Sequence, residues 1–404
     1  MTSVVTARRL LQSDGVLEYP VLVIEDGSIT SIRSRASDAL PADLPPGSVV
    51  HSFPDAMLAP SYIDIHIHGA AGHDVMEGTP QAMRAISAFL ASRGVGAFFP
   101  TTVTSPVEET LGALERLAGE IERGAPDGAM PLGIHLEGPF LSHAKRGVHP
   151  AALLRQPSIP LFDRFWQAAR GHIRLMTIAP ELPDAAELIE HASVLGVKCS
   201  LGHSAASATE ADAGVRAGAR SATHTFNAMR AIDHRDPGIT AYVLDCGDLF
   251  ADIICDGIHI DPMMVRLFFK AKGGRRAILI TDAISATGMP DGRYRLGDLD
   301  VNVEQGRCTL AEPPEGVLAG SVLTLDQAVR NFADFTGAGL PASIGLATRN
   351  PAELLGMDDR WGVLAEGREA NIAVLSGHGE ILESFRAGRP LSPGRQQAYA
   401  AGAS

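Results

Sequence analysis

Ser61-Tyr62-Ile63-Asp64-Ile65-His66-Ile67-His68, residues 61–68, is an apolar β-type segment that closes on two imidazoles. Residues i and i+2 of a strand point to the same face, so His66 and His68 can reach one ion together. Seven further segments share its form: 95–102 (VGAFFPTT), 132–137 (LGIHLE), 173–179 (IRLMTIA), 197–203 (VKCSLGH), 221–225 (SATHT), 251–255 (ADIIC) and 277–282 (AILITD). Between most of them lie amphipathic stretches of helical period, at 81–92, 108–122, 184–195, 208–217 and 262–272. Strands that alternate with helices pair in parallel. Eight such units over residues 58–360 predict an α/β fold, a TIM-type (β/α)8 barrel. A doubly wound open sheet is the alternative, but no GxGxxG follows the first segment and no Walker A motif is present. The segment ends decide between them. His66, His68, Glu137, His203, His224 and Asp282 all stand at such ends, and each binds metal or moves protons. A barrel gathers every C-terminal strand end at one mouth. An open sheet would string them along a line.

Both flanks of this core read as β-structure. Residues 21–24 and 29–32 are apolar around the turn Glu25-Asp26-Gly27-Ser28, a hairpin signal. The C-terminal part repeats the style at 361–364, 370–375 and 381–382. We therefore expect one small β-sandwich domain built from both chain ends, 1–57 and 361–404, around the barrel at 58–360. The end from about Leu391 is Pro-, Gly- and Ala-rich and is expected to fray.

The 404 residues carry 34 Lys and Arg against 47 Asp and Glu, a formal charge of −13. Such a chain repels a nucleic-acid backbone or an anionic membrane, so neither is expected as a partner. The start, MTSVVTARRL, lacks the apolar run of a secretory signal, and no apolar run spans a membrane. Cys199, Cys246, Cys255 and Cys308 form no CxxC pair and read as reduced thiols of a cytoplasmic protein.

The strand-end residues carry the chemistry. Buried glutamate is rare unless it is paired or binds metal, and Glu137 closes an apolar strand before Gly138-Pro139. His203 and His224 stand one β/α unit apart. With Glu137 they form a one-acid, two-histidine set of the kind that catalytic zinc sites use. Taken singly, each histidine reads as well as a bonded core residue. Asp282 is a natural general base for an activated water, with helix N-capping as the bland reading. His135, one layer deeper than Glu137, reads as structural. His259 should overlook the same pocket, and the basic stretches 145–149 and 234–238 suit a phosphate as well as they suit solvated loops. His51, His73, His143, His172, His191 and His378 show no such placement.

Beyond these positions the chain resembles the N-acetylglucosamine-6-phosphate deacetylases of the amidohydrolase superfamily. The resemblance rests on APSYIDIHIHG (59–69), GIHLEGPFLS (133–142), KRGVH (145–149), TIAPE (177–181), LGHS (201–204), THTFNAM (223–229), RDPG (235–238), CDGIHI (255–260), LITDA (279–283), LAGS (318–321) and NPAELLG (350–356). It implies hydrolysis of the acetamide of N-acetylglucosamine 6-phosphate to glucosamine 6-phosphate and acetate. It implies a divalent metal, zinc above all, held by Glu137, His203 and His224, with Asp282 as catalytic acid and base. It places Val148, His149, Asn227, Ala228, Arg235, His259, Leu318, Ala319 and Gly320 around the sugar phosphate. The RDPG-type arginine of the family reaches the phosphate across a dimer interface, so the same role for Arg235 implies a homodimer. Because His66 and His68 are kept, a second ion bridged by Glu137 is open. The fourth strand has no lysine, which argues against superfamily members that bridge through a carbamylated lysine. Thr225 stands where an apolar residue is common, with little effect expected. Two other readings compete: an amidohydrolase for another N-acyl sugar or a cyclic amide, and a silent metal- and sugar-phosphate-binding protein. The second needs a broken metal set or a missing base, and neither is seen.

Overall fold

The computed structural model describes residues 2–13, 15–35, 44, 47–125, 127–312 and 316–391. Eight parallel strands form the centre: Tyr62–Ile67, Val95–Thr102, Ile134–Glu137, Ile173–Ile178, Lys198–Leu201, Ser221–Ala222, Ala251–Ile254 and Ala277–Ile280. They are named here by their order in the chain. The first six pair in sequence, and the seventh pairs with the eighth. Backbone bonds close the two remaining gaps. Ala222 N donates to Phe250 O (3.0 Å) and Thr225 N to Asp252 O (2.8 Å), joining the sixth strand to the seventh. Asp282 N donates to His66 O (2.9 Å) and His68 N to Ala283 O (2.8 Å), joining the eighth to the first. The ring is thus complete, and the expected (β/α)8 barrel is the fold found.

The strands are buried on both faces and are therefore apolar throughout much of their length. Apolar runs such as Ile-Leu-Ile at 278–280 pack inside the ring and beneath the helices. The helices bury one stripe each. Leu114 and Leu117 of the Val107–Arg123 helix lie in the core while Glu108 and Glu109 head the helix as charges that complement its dipole.

Both chain ends share one eight-stranded, mostly antiparallel sheet. Its one parallel pair joins Thr2–Gln12 to Val49–Pro60, and the latter then pairs with Ile372–Leu375 from the C-terminal part. The sheet curls back on itself: Ser28 bridges to Glu369, and Leu22, Ile29, Ile372 and Phe385 share one core. One continuous sheet therefore supplies both layers, and it extends to Pro60. The stretch 361–364 is a correction, because it forms turns rather than a strand. Gly362 has φ +88°, and a Cβ there would meet Arg349 Cα at 2.9 Å, so the chain bends close under the barrel and Trp361 packs into its core. The fraying expected beyond Leu391 lies outside the described residues.

A second sheet was not anticipated. After the eighth strand, Gly292–Leu296, Leu299–Glu304 and Arg307–Leu310 form a three-stranded antiparallel sheet. Its core of Leu296, Val301, Val303 and Cys308 packs on Val103 and Ile284, beside the C-terminal mouth of the barrel. No helix is long and apolar enough to cross a membrane, among the described residues.

Candidate active site

Three strand ends turn in the same unusual way. His203, His224 and Asp282 have φ of +48°, +29° and +52°, the left-handed region that non-glycine residues avoid at about 1–2 kcal/mol each. Each turn aims a polar side chain across the mouth of the barrel. Asp252, in the strand beside His224, accepts that residue's backbone N–H through Oδ1 and anchors its turn.

The side chains meet on Glu137. Its Oε1 lies 3.3 Å from His203 Nε2 and 3.2 Å from His224 Nε2, and those two nitrogens are 3.0 Å apart. Its Oε2 lies 3.5 Å from His66 Nε2 and 3.3 Å from His68 Nε2. Asp282 Oδ1 completes this second group, at 3.4 Å from His66 and 3.2 Å from His68. All six residues are nearly or fully buried.

Tautomers follow from the opposite edge of each ring. A carbonyl oxygen can only accept, so a ring nitrogen beside it carries the proton. His203 Nδ1 donates to Lys145 O (3.0 Å), His224 Nδ1 to Asn227 O (3.2 Å) and His68 Nδ1 to Thr101 O (2.9 Å). Their Nε2 atoms therefore present bare lone pairs to one another and to two carboxylates. Such a cluster repels itself unless positive charge sits within it. Two ligands about 2.0–2.1 Å from a tetrahedral ion lie about 3.3–3.4 Å apart, close to the separations found. The residues fit a divalent metal site, with Glu137 placed between two groups of ligands.

The carboxylates and imidazoles also shift one another's ionisation. Burial pushes Glu137 up, but the surrounding imidazoles of His66, His149, His203 and His224 hold it well below the usual carboxylate range. Asp282 is drawn down to about 2 against burial by His66 and His68. Burial disfavours charge on both His68 and His224, yet Asp282 and Glu137 raise His68 well above its ordinary value, and Glu137 raises His224 to about 9. Burial lowers His203 to about 4. His135 lies below, bonded to Ile65 O (3.1 Å) and Thr177 Oγ1 (2.8 Å), and burial together with His66 keeps it neutral.

A cavity of about 280 Å³ opens above the cluster. His68, Glu137, His203, His224 and Asp282 form its floor, and Val148, His149, Asn227, Ala228, His259, Leu318 and Gly320 line its walls. Asn227 Nδ2 is buried without a hydrogen-bond partner, a donor available to a ligand. Asp256 Oδ2 accepts a hydrogen bond from His259 Nδ1 at 2.7 Å and fixes that ring. Two expected residues stand apart. Ala319 is buried in the neighbouring core rather than in the wall, and Arg235 is exposed on the 230–237 loop, outside this chain's own cavity. Sequence reasoning missed Val103, Ile254, Leu296 and Val317, which also line the cavity, and Thr104, whose backbone and hydroxyl both meet His149.

The amidohydrolase family model matches residues 57–391. The chain is 36% identical to the N-acetylgalactosamine-6-phosphate deacetylase of Escherichia coli O157:H7, over 93% of this chain and 95% of that protein. It is 33% identical to the N-acetylglucosamine-6-phosphate deacetylase of Bacillus subtilis, over 92% and 93%. Among solved structures it is similar to the N-acetylglucosamine-6-phosphate deacetylase of Mycobacterium smegmatis in complex with N-acetylglucosamine 6-phosphate. That match has a TM-score of 0.89 and 31% identity, and it covers 96% of this chain and 99% of the other.

Proposed function

Because the chain belongs to the amidohydrolase family, and within it to the N-acetylglucosamine-6-phosphate deacetylases, we propose the following division of labour for its hydrolysis of N-acetylglucosamine 6-phosphate to glucosamine 6-phosphate and acetate. The observation that carries it is the pair of ligand groups on the two oxygens of Glu137, with Asp282 beside them at the cavity floor. His203, His224 and Glu137 would hold one divalent ion, zinc being among those this donor set suits, and His66, His68 and Asp282 would offer a place for a second. A bound divalent ion supplies Lewis-acid activation of the water and of the acetamide carbonyl.

The chain's own residues do the rest. Asp282 is ionised and faces the cavity, so it takes the proton of the attacking water. The same carboxyl then delivers that proton to the departing amine. His149 donates to the acetyl oxygen as negative charge develops there. Asn227 and His259 hold the sugar. Arg235, exposed and outside its own cavity, binds the phosphate of the substrate in a second copy of this chain, and the working unit is a homodimer. The four free cysteines suit a reducing cytoplasm.

A second reading has a specific observation behind it, since one relative of comparable similarity is named for the N-acetylgalactosamine phosphate. The decisive experiment measures acetate release by the metal-loaded enzyme from both hexosamine phosphates and from unphosphorylated N-acetylglucosamine. A clear preference for N-acetylglucosamine 6-phosphate is expected. Preference for the 4-epimer selects the second reading, and equal turnover of the unphosphorylated sugar removes the phosphate from the recognition scheme.

A further inference from the structure

His149 differs from the other histidines of the cavity. By distance alone its Nε2, 3.6 Å from Glu137 Oε2, belongs with Glu137 and His203 as a possible metal ligand. Its other nitrogen points to a different use. The backbone N–H of Thr104 is directed at His149 Nδ1 (3.3 Å), and the Thr104 hydroxyl lies 2.8 Å from the same atom. A backbone N–H can only donate, so Nδ1 must be the bare nitrogen and the ring proton must sit on Nε2. This is the reverse of the tautomer that Lys145, Asn227 and Thr101 carbonyls impose on His203, His224 and His68. A neutral ring with its proton on Nε2 has no lone pair there for an ion. It has an N–H, on a residue that lines the cavity.

We propose that Thr104 is a positioning residue that sets the tautomer of His149, making it a hydrogen-bond donor to the substrate's acetyl oxygen and excluding it from the metal set. The inference deepens the function proposed above and rests on the contact between His149 and the acetyl group. Thr104 acts from both its groups. Its N–H fixes where the ring proton lies, and its hydroxyl completes the Nδ1 environment and sets the ring plane. The hydroxyl itself has little room to move. A Cβ on Gly138, the residue after Glu137, would fall 2.1 Å from Thr104 Oγ1. The end of the glutamate strand thus leaves no room for a side chain beside the group that orients His149, and both Thr104 and His149 are buried.

The test is a double-mutant cycle on the metal-loaded enzyme with N-acetylglucosamine 6-phosphate. Thr104→Val keeps the shape and the backbone donor but loses the hydroxyl. It is expected to lower kcat about tenfold, the scale of one hydrogen bond, with KM within about twofold. Thr104→Ser restores the hydroxyl and should restore kcat. In a His149→Ala background, Thr104→Val should cost nothing further. A full tenfold loss in that background makes Thr104 merely structural and overturns the proposal, as does a Ser variant no better than Val. Should His149→Ala alone leave kcat unchanged, the contact with the acetyl oxygen falls instead. Two readouts are independent of turnover. Metal per chain should be the same in His149→Ala as in the native enzyme, and a lost ion would make His149 a ligand. Nitrogen NMR of histidine-labelled enzyme should show a signal from a protonated Nε2 that disappears in His149→Ala, and a proton found on Nδ1 would refute the assignment.

Discussion

Asp282→Asn takes one charge out of the cavity and leaves the backbone where it is. The main chain of Asp282 is held from both sides, by its own N–H to His66 O (2.9 Å) and by Ser321 N–H to its carbonyl (2.8 Å). Its φ of +52° is a conformation that asparagine tolerates better than most residues. The variant should therefore fold normally and keep its cavity. What it loses is the ability to take and return a proton. General acid and base catalysis is worth about 10²–10⁴ in rate, which is about 2.7–5.4 kcal/mol of barrier. We expect kcat for acetate release to fall by that factor while KM stays within about threefold. Metal analysis should find the ion at Glu137, His203 and His224 retained, because none of those contacts involves Asp282. A variant with kcat within tenfold of the native enzyme, and with metal in place, would show that the proton travels by another route.

Arg235→Ala should raise KM for the phosphorylated sugar at least tenfold with little change in kcat, because it removes a charge-assisted bond that only positions the substrate. Mixed dimers of Arg235→Ala with Asp282→Asn chains should show one site with native KM if the arginine crosses between copies, and only the raised KM if it does not. Gly138→Ala puts a Cβ into the Thr104 hydroxyl and forces a left-handed φ of +75° on a side chain, so it should cost at least about 1–2 kcal/mol in denaturant unfolding and lower kcat as well. An alanine variant of native stability would disprove the close approach. Lys272 is buried, with Nζ 2.9 Å from Val243 O and 2.6 Å from Cys246 O at the end of the Gly238–Asp245 helix. Burial lowers it to about 8, below its ordinary value of 10.5, so the folded chain binds this proton more weakly than the unfolded chain. Lys272 should therefore add stability as pH rises from about 8 to 10.5, and the native protein should gain stability relative to Lys272→Met over that window. A difference that is flat with pH would refute the shift.

The parts of this molecule that could be read in advance are those whose physics is local. Ala277–Ile280 and Val95–Thr102 announce themselves as near-continuous apolar runs, because a strand covered on both faces has no polar side to show. The helix at 208–217 was legible to the residue, since Ser207 caps its start and Gly218 follows its end. The sheet over 292–310 was missed although Leu299–Glu304 alternates apolar and polar residues, because its strands are short and follow the eighth barrel strand, where the repeat calls for a helix. Thr104 and Asp252 were invisible for another reason. They serve histidines 45 and 28 positions away, and only the closure of the barrel brings them together. The Lys145 carbonyl that sets the tautomer of His203 has no sequence signature at all, since every residue carries one.

His203, His224 and Asp282 share a left-handed turn at their strand ends. A turn is ordinarily sought at glycine, and here the strained position is the functional residue itself. An extended strand end would have carried each side chain up and away from the barrel axis. The reversal swings it inward, and the cost is met by bonds from neighbouring segments: Ser142 N to His203 O (3.0 Å), Asp252 to His224 N, and Ser321 N to Asp282 O (2.8 Å). Each of these partners lies in the loop or strand of a different β/α unit. The ligand geometry is therefore stored in the ring as a whole. Loosening one turn relaxes a strain of about 1–2 kcal/mol and pulls a ligand from its place at the same time, which is why glycine at these positions would stabilise the backbone while dismantling the site.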